Sequence, residues 1–173
     1  TGVVDGNGYD WWEREYLVAN KRNRPHLVKY DRVQTSEISG VTFRNSPQFH
    51  LNLRDIDSVY IHDIEILVDI MKQKDLMDKH YFNRDSAIWS LASSFGGKIF
   101  SDLEKQMDTQ DKFHGPIFPL NTDGIDPSGS NVTIRNVNIT SFDDAVAVKP
   151  SHKNDKVAKD GCSQDILVEN AQL

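Results

Sequence analysis

Two acidic clusters carry the strongest chemical signal in the sequence. Asp123 and Asp126 lie in NTDGID, and Asp143 and Asp144 lie in FDDAV. Asp123 and Asp143 are 143 − 123 = 20 residues apart. The run between them alternates apolar and polar residues and reads as a strand, a corner and a second strand. If that run makes one turn of a coiled sheet, the clusters fall on neighbouring rungs of a parallel ladder, about 4.8 Å apart. Carboxylates distant in sequence then share one patch of surface. Crowding splits their pKa values, pushing one up to act as acid and leaving another ionised as base. Cleavage of a glycosidic bond uses such a pair. Any one of these aspartates alone reads better as a turn or capping residue. The argument needs Asp123, Asp143 and Asp144 together at this spacing.

A coil of this kind must be visible as a repeat. Four segments share one pattern: VTFRNS from Val41, VYIHDIEI from Val59, VTIRNVNI from Val132 and ILVENAQL from Ile166. Apolar residues occupy positions 1 and 3, and Asn or Asp occupies position 5. In the last three segments the apolar parity flips across Asp63, Asn136 and Asn170. A strand keeps one parity, so a flip means that the chain turned a corner with its apolar side still inward. Asn and Asp tolerate the left-handed backbone that such a corner needs. Repeated strand, corner and strand predict an all-β parallel β-helix, with Val41, Val59, Val132 and Ile166 facing one interior. The alternation is lost over residues 67–118. MKQKDLMDKHYF and SDLEKQMD read as helical there, which predicts a partly helical insertion or lid outside the coil, with helix between about Lys72 and Lys79.

Composition bounds the function class. The chain has 173 residues, 27% charged and 38% apolar, enough for one domain with a core. No run of eighteen apolar residues is present, so no membrane-spanning helix is expected. A net charge of −6 argues against nucleic acid as the main partner. It also means that a polyanionic substrate must be held by local cations, not by the global field. His and Cys form no cluster of metal-ligand spacing and no Gly-rich phosphate loop occurs, so no metal and no cofactor are expected.

NTDGID followed by DDAVAVK at this distance resembles the polygalacturonases, glycoside hydrolase family 28. GVVDGNGYDWW (Gly2–Trp12), RPHLV (Arg24–Val28) and GVTFRNSPQFHLNL (Gly40–Leu53) resemble successive segments of the same family, in the same order. The resemblance spans most of the chain except roughly residues 67–118. It implies a right-handed parallel β-helix, of which residues 1–173 are part of one domain whose start and end lie outside this sequence. It also implies inverting hydrolysis of α-1,4-galacturonosidic bonds in pectin by a secreted, monomeric protein, with neither membrane nor nucleic acid as partner. By position, Asp143 corresponds to the general acid. Asp123 and Asp144 correspond to the groups that hold and deprotonate water, and Asn121 and Asp126 to a sugar subsite. Asp143 is expected to have the raised pKa, since two anions lie beside it.

Other residues extend or limit this reading. If Val146 and Val148 point inward, Ala145, Ala147 and Lys149 point outward, and Lys149 meets a substrate carboxylate at the groove floor. His50, alternating with Phe49 and Leu51, is expected at the surface. Trp11 and Trp12 read as packing before they read as a sugar platform. Asn131 and Asn138 open N-glycosylation sequons. Cys162 either pairs beyond Leu173 or is buried; many members of the family carry a cysteine directly after the Asp pair, where this chain has Ala145. The family's Gly-His-Gly and Arg-X-Lys motifs do not occur before Leu173. These 173 residues alone are therefore expected to be inactive. Rhamnogalacturonan or xylogalacturonan hydrolysis, or a non-catalytic polysaccharide-binding β-helix, are the competing readings.

Overall fold

A computed structural model of the chain describes residues 2–9, 11–12, 24–69, 119–151 and 161–173. Seven strands occur in it: β1 (Gly2–Asp5), β2 (Val28–Asp31), β3 (Gln34–Ser39), β4 (Val41–Arg44), β5 (Leu51–Leu67), β6 (Ile125–Thr140) and β7 (Gln164–Gln172). Every pairing among them is parallel. β2, β3 and β4 pair in turn with successive parts of β5, β5 pairs with β6, and β6 with β7. One coil of chain thus lies on the next, which is the parallel β-helix that the repeat predicts.

The coil is built from ladders of like residues. Ile38, Ile61, Ile134 and Val168 stand in register, as do Phe43, Ile66 and Ile139. Except for Val168 at the outer strand, all of these are buried. Alternation sends their neighbours outward, so each face carries polar columns over an aliphatic interior.

The corners follow the same logic. Gly40, Asp63, Asn136 and Asn170 all have positive φ, at 65°, 50°, 51° and 49°. They stack because their neighbours pair, Ser39 with His62, His62 with Arg135 and Arg135 with Glu169. Asn136 donates from Nδ2 to Asp63 Oδ1 at 3.2 Å, and Asn170 Nδ2 lies 3.4 Å from Asn136 Oδ1. From Asp63 through Asn136 to Asn170 the corner is therefore also a ladder of side-chain hydrogen bonds. A second corner stacks Thr35, Ser58, Asn131 and Asp165, again at positive φ.

The structure corrects three sequence expectations. The residue equivalent to Asp63 in the first repeat is Gly40, not Asn45. Val41 accordingly aligns with Ile64, not with Val59. One coil here takes 61 − 38 = 23 residues. Leu67 and Val68, at the expected edge of the insertion, belong to the coil: Leu67 ends β5, and the buried Val68 donates to Thr140 O at 2.8 Å. The expected helix between Lys72 and Lys79 lies outside the described residues and is not borne out. Finally, Cys162 is exposed, not buried. Trp12 is core, 1% exposed, with Nε1 3.2 Å from the carbonyls of Ser46 and Pro47.

Candidate active site

The site occupies the face on which β2, the start of β5 and the start of β6 lie side by side. His50 N donates to Asp123 O, and Leu51 N to Gly124 O. On the other side Gly124 N donates to Asp144 O, Ile125 N to Ala145 O, and Ala147 N to Ile125 O. The NTDGID segment is thereby a central rung, with the Asp143-Asp144 segment laid against it. Gly124 is required by this closeness. A Cβ there collides with Ala145 O and comes within 2.8 Å of Ile139 Cγ2.

The turn into the rung is tightly held. Asn121 has φ 56°. Its Oδ1 accepts from Arg24 at 3.1 Å, and Arg24 also donates to Leu120 O at 2.6 Å and Pro47 O at 3.0 Å. Thr122, fully buried, donates from its hydroxyl to Pro119 O and accepts from Phe142 N. Asn121 N in turn donates to Asp143 Oδ2 at 3.2 Å, and Asp144 N to Asp143 Oδ1 at 2.9 Å. The Asp143 carboxylate is thus aimed by two backbone amides.

The rungs bring Asp123, Asp143 and Asp144 together. One carboxylate oxygen of each lies within 4.8 Å of the others. Asp123 is the floor, 3% exposed, while Asp143 and Asp144 stand exposed on the rim. Two oxygens at that separation can both hydrogen-bond one water, since each O–H···O bond spans about 2.5–3.0 Å. The same three oxygens are the set that could hold a cation.

Lys149 lies over this floor. Its Nζ is 3.4 Å from Asp123 Oδ2 and 3.7 Å from Asp126 Oδ2, and 5.3 Å from the centre of the Phe49 ring. The 3.7 Å contact is an ion pair without a hydrogen bond. Asp126 is 2% exposed, and neither of its oxygens has a hydrogen-bond partner among the described residues. Burial is the main force raising its pKa to about 7; the Asp123 charge adds to it and Lys149 opposes it. Asp123 is raised as well, first by burial and then by Asp143, with Lys149 and a backbone amide opposing. Burial is thus the main force that raises both floor carboxyls, Asp123 and Asp126.

Several sequence expectations meet a different arrangement. Asp126 lies beneath Lys149 and off the open surface. Val148 is exposed, so the inward alternation stops at Val146, which bridges Ile125. His50 is not a surface residue. It is fully buried, accepts from Ser46 N at Nε2 (3.3 Å) and meets Asp123 O from Nδ1 at 3.1 Å. Burial lowers its pKa to about 4, so a neutral ring braces the Asp123 backbone. The sequence reading also missed Arg24 as the brace of the Asn121 turn. Its position ahead of Pro25 in RPHLV was the available signal. Asn131 and Asn138, the two sequon asparagines, are both exposed on β6, and Asn131 donates to Asp57 Oδ1 at 2.8 Å. Among the described residues no helix is long and apolar enough to cross a membrane.

Comparison with known proteins agrees with this architecture. The chain is 36% identical over 72 residues to a polygalacturonase of Chamaecyparis obtusa, covering 38% of this chain and 14% of that protein. It is 30% identical over 152 residues to the endo-xylogalacturonan hydrolase A of Aspergillus tubingensis, covering 87% of this chain and 27% of that protein. It is 35% identical over 71 residues to the exopolygalacturonase B of Aspergillus niger, covering 36% and 16%. The chain therefore spans well under a third of the length of these relatives. No solved structure gives a significant match. The profile of the glycosyl hydrolases family 28 matches residues 1–165. The chain belongs to glycosyl hydrolases family 28.

Proposed function

We propose that this chain carries the carboxylate centre of a secreted enzyme that hydrolyses α-1,4-galacturonosidic bonds in pectin with inversion. The observation that supports it is the meeting of Asp123, Asp143 and Asp144 within 4.8 Å from two rungs of the coil. Asp143 is the general acid, protonating the glycosidic oxygen from the rim. Asp123 and Asp144 hold the attacking water and take its proton. Usual inverting pairs stand roughly 6.5–9.5 Å apart to admit that water. Here single oxygens of the three carboxylates come within 4.8 Å, and the water is held by the Asp123–Asp144 pair on the sugar face away from the leaving oxygen. Lys149 and Asn121 form the adjoining sugar subsite, with the buried Asp126 beneath Lys149. An incoming galacturonate carboxylate competes for Lys149 with Asp123 and Asp126. Drawing Lys149 away further favours the protonated form of the buried Asp126, which spares the substrate one anion.

Xylogalacturonan is a second substrate reading, favoured by the match over 87% of this chain to the Aspergillus tubingensis protein of that name. The test is reducing-sugar release by the full-length protein from polygalacturonate and from xylogalacturonan, side by side. Faster release from the unsubstituted polymer is the expected result. Release from xylogalacturonan alone moves the assignment to that polymer. Tight binding of pectin without release from either returns the protein to the non-catalytic class.

A further inference from the structure

The columns that carry the carboxylates continue along the coil axis. Asp144, Asp123, Phe49 and His26 follow one another from rung to rung, because Gly124 N donates to Asp144 O, His50 N to Asp123 O and Leu27 N to Phe49 O. Beside them run Asp126, Asn52 and Lys29, in strict register. Moving away from the cluster, the first column changes from carboxylates to rings. The second changes from a buried acid to an amide and then to an exposed lysine.

The rings form a continuous wall. His26 stacks on Phe49 with centroids 4.8 Å apart and planes 28° from parallel, and Lys149 caps the other end over Phe49. His26 Nε2 lies 3.4 Å from Asn52 Nδ2, which ties the two columns together. Lys29 makes no ion pair among the described residues. The nearby Asp31 is engaged by Arg54, at 2.6 and 3.0 Å. The Lys29 charge is felt at His26, whose pKa is lowered mainly by burial and further by that lysine.

We propose that Lys29, Asn52, His26 and Phe49 form a distal subsite for the carboxylate and ring of a galacturonosyl unit, with Phe49 and Asn52 one rung and His26 and Lys29 two rungs from Asp123 and Asp126. Two rungs are about 9.6 Å at the usual strand spacing. A 1,4-linked pyranose unit is comparable in length to one rung. A polymer lying along the axis therefore brings a further uronate to Lys29 while another lies at Lys149. The rings offer a flat apolar wall, and Asn52 an amide for a hydroxyl. The two lysines are local cations on a chain of net charge −6. The subsite rests on the galacturonan reading above, and sets chain-length preference.

The test uses the full-length protein with Asp143→Asn to stop turnover. Affinity is measured by calorimetry for galacturonate oligomers of increasing length, with and without Lys29→Gln. The expected result is about fivefold weaker binding of long oligomers, the scale of one solvent-accessible charge pair. Binding of the dimer should not change. The difference should shrink in high salt, and Lys29→Arg should restore affinity. Equal affinity of the two proteins for long oligomers overturns the subsite while leaving the hydrolase reading intact. An equal loss on the dimer also overturns it, by moving Lys29 to the cleavage site. Failure to bind any galacturonan overturns both.

Discussion

Asp143→Asn and Asp123→Asn, each in the full-length protein, should cut turnover on polygalacturonate by about 10² or more, the usual worth of general acid-base catalysis. KM should change far less. The amide at position 143 keeps an oxygen for one of the two backbone amides, of Asn121 and Asp144, that aim the native side chain, and the exposed site lets its NH2 reach water. The fold should therefore persist, as circular dichroism will check. At position 123 the backbone is held by His50 from both its amide and its ring, so loss of the charge need not move the rung. Folded variants that keep wild-type turnover remove these carboxylates from the mechanism.

Asp126→Asn should make the protein more stable at neutral pH. The folded pKa of Asp126 stands near 7, above its ordinary 3.8. The folded state therefore binds its proton more tightly than the unfolded state does. The cost of ionising it in the fold is absent below about pH 4 and grows as pH rises towards 7. At about 1.36 kcal/mol per pKa unit this amounts to roughly 3–4 kcal/mol at neutral pH. Asparagine fills the same space without a charge to desolvate. Thermal melts of wild type and variant should coincide near pH 4 and diverge as pH rises to 7, with the variant higher. A constant gap at both pH values contradicts the assignment of the buried charge.

How far the sequence was legible depends on which residue marks each feature. Asp63, Asn136 and Asn170 announced their corner because Asn and Asp are the non-glycine residues most at ease at positive φ. The second corner went unread. Thr35 and Ser58 carry no such mark, and Asn131 was read only as a sequon. Gly40 went unread for the opposite reason. Glycine fits any turn, so the similar VTFRN run drew the first repeat one corner too far along. The meeting of Asp123 with Asp143 and Asp144 was legible because it depends only on one coil of chain. The depth of Asp126 was not, since it depends on Lys149 folding back over it from the next rung. His50 shows the limit of alternation. Strict period 2 holds inside a strand, and His50 sits just before β5 begins at Leu51, where the chain is still turning.

The most direct measurement of the account is the configuration of the first product, followed by proton NMR as the full-length protein cuts polygalacturonate. A water held by Asp123 and Asp144 attacks the anomeric carbon from the face opposite the leaving oxygen. The account predicts that β-anomeric reducing ends appear first, with the α-anomer growing in later by mutarotation. New reducing ends that are α from the outset would contradict it, since they require a covalent intermediate on one of these carboxylates.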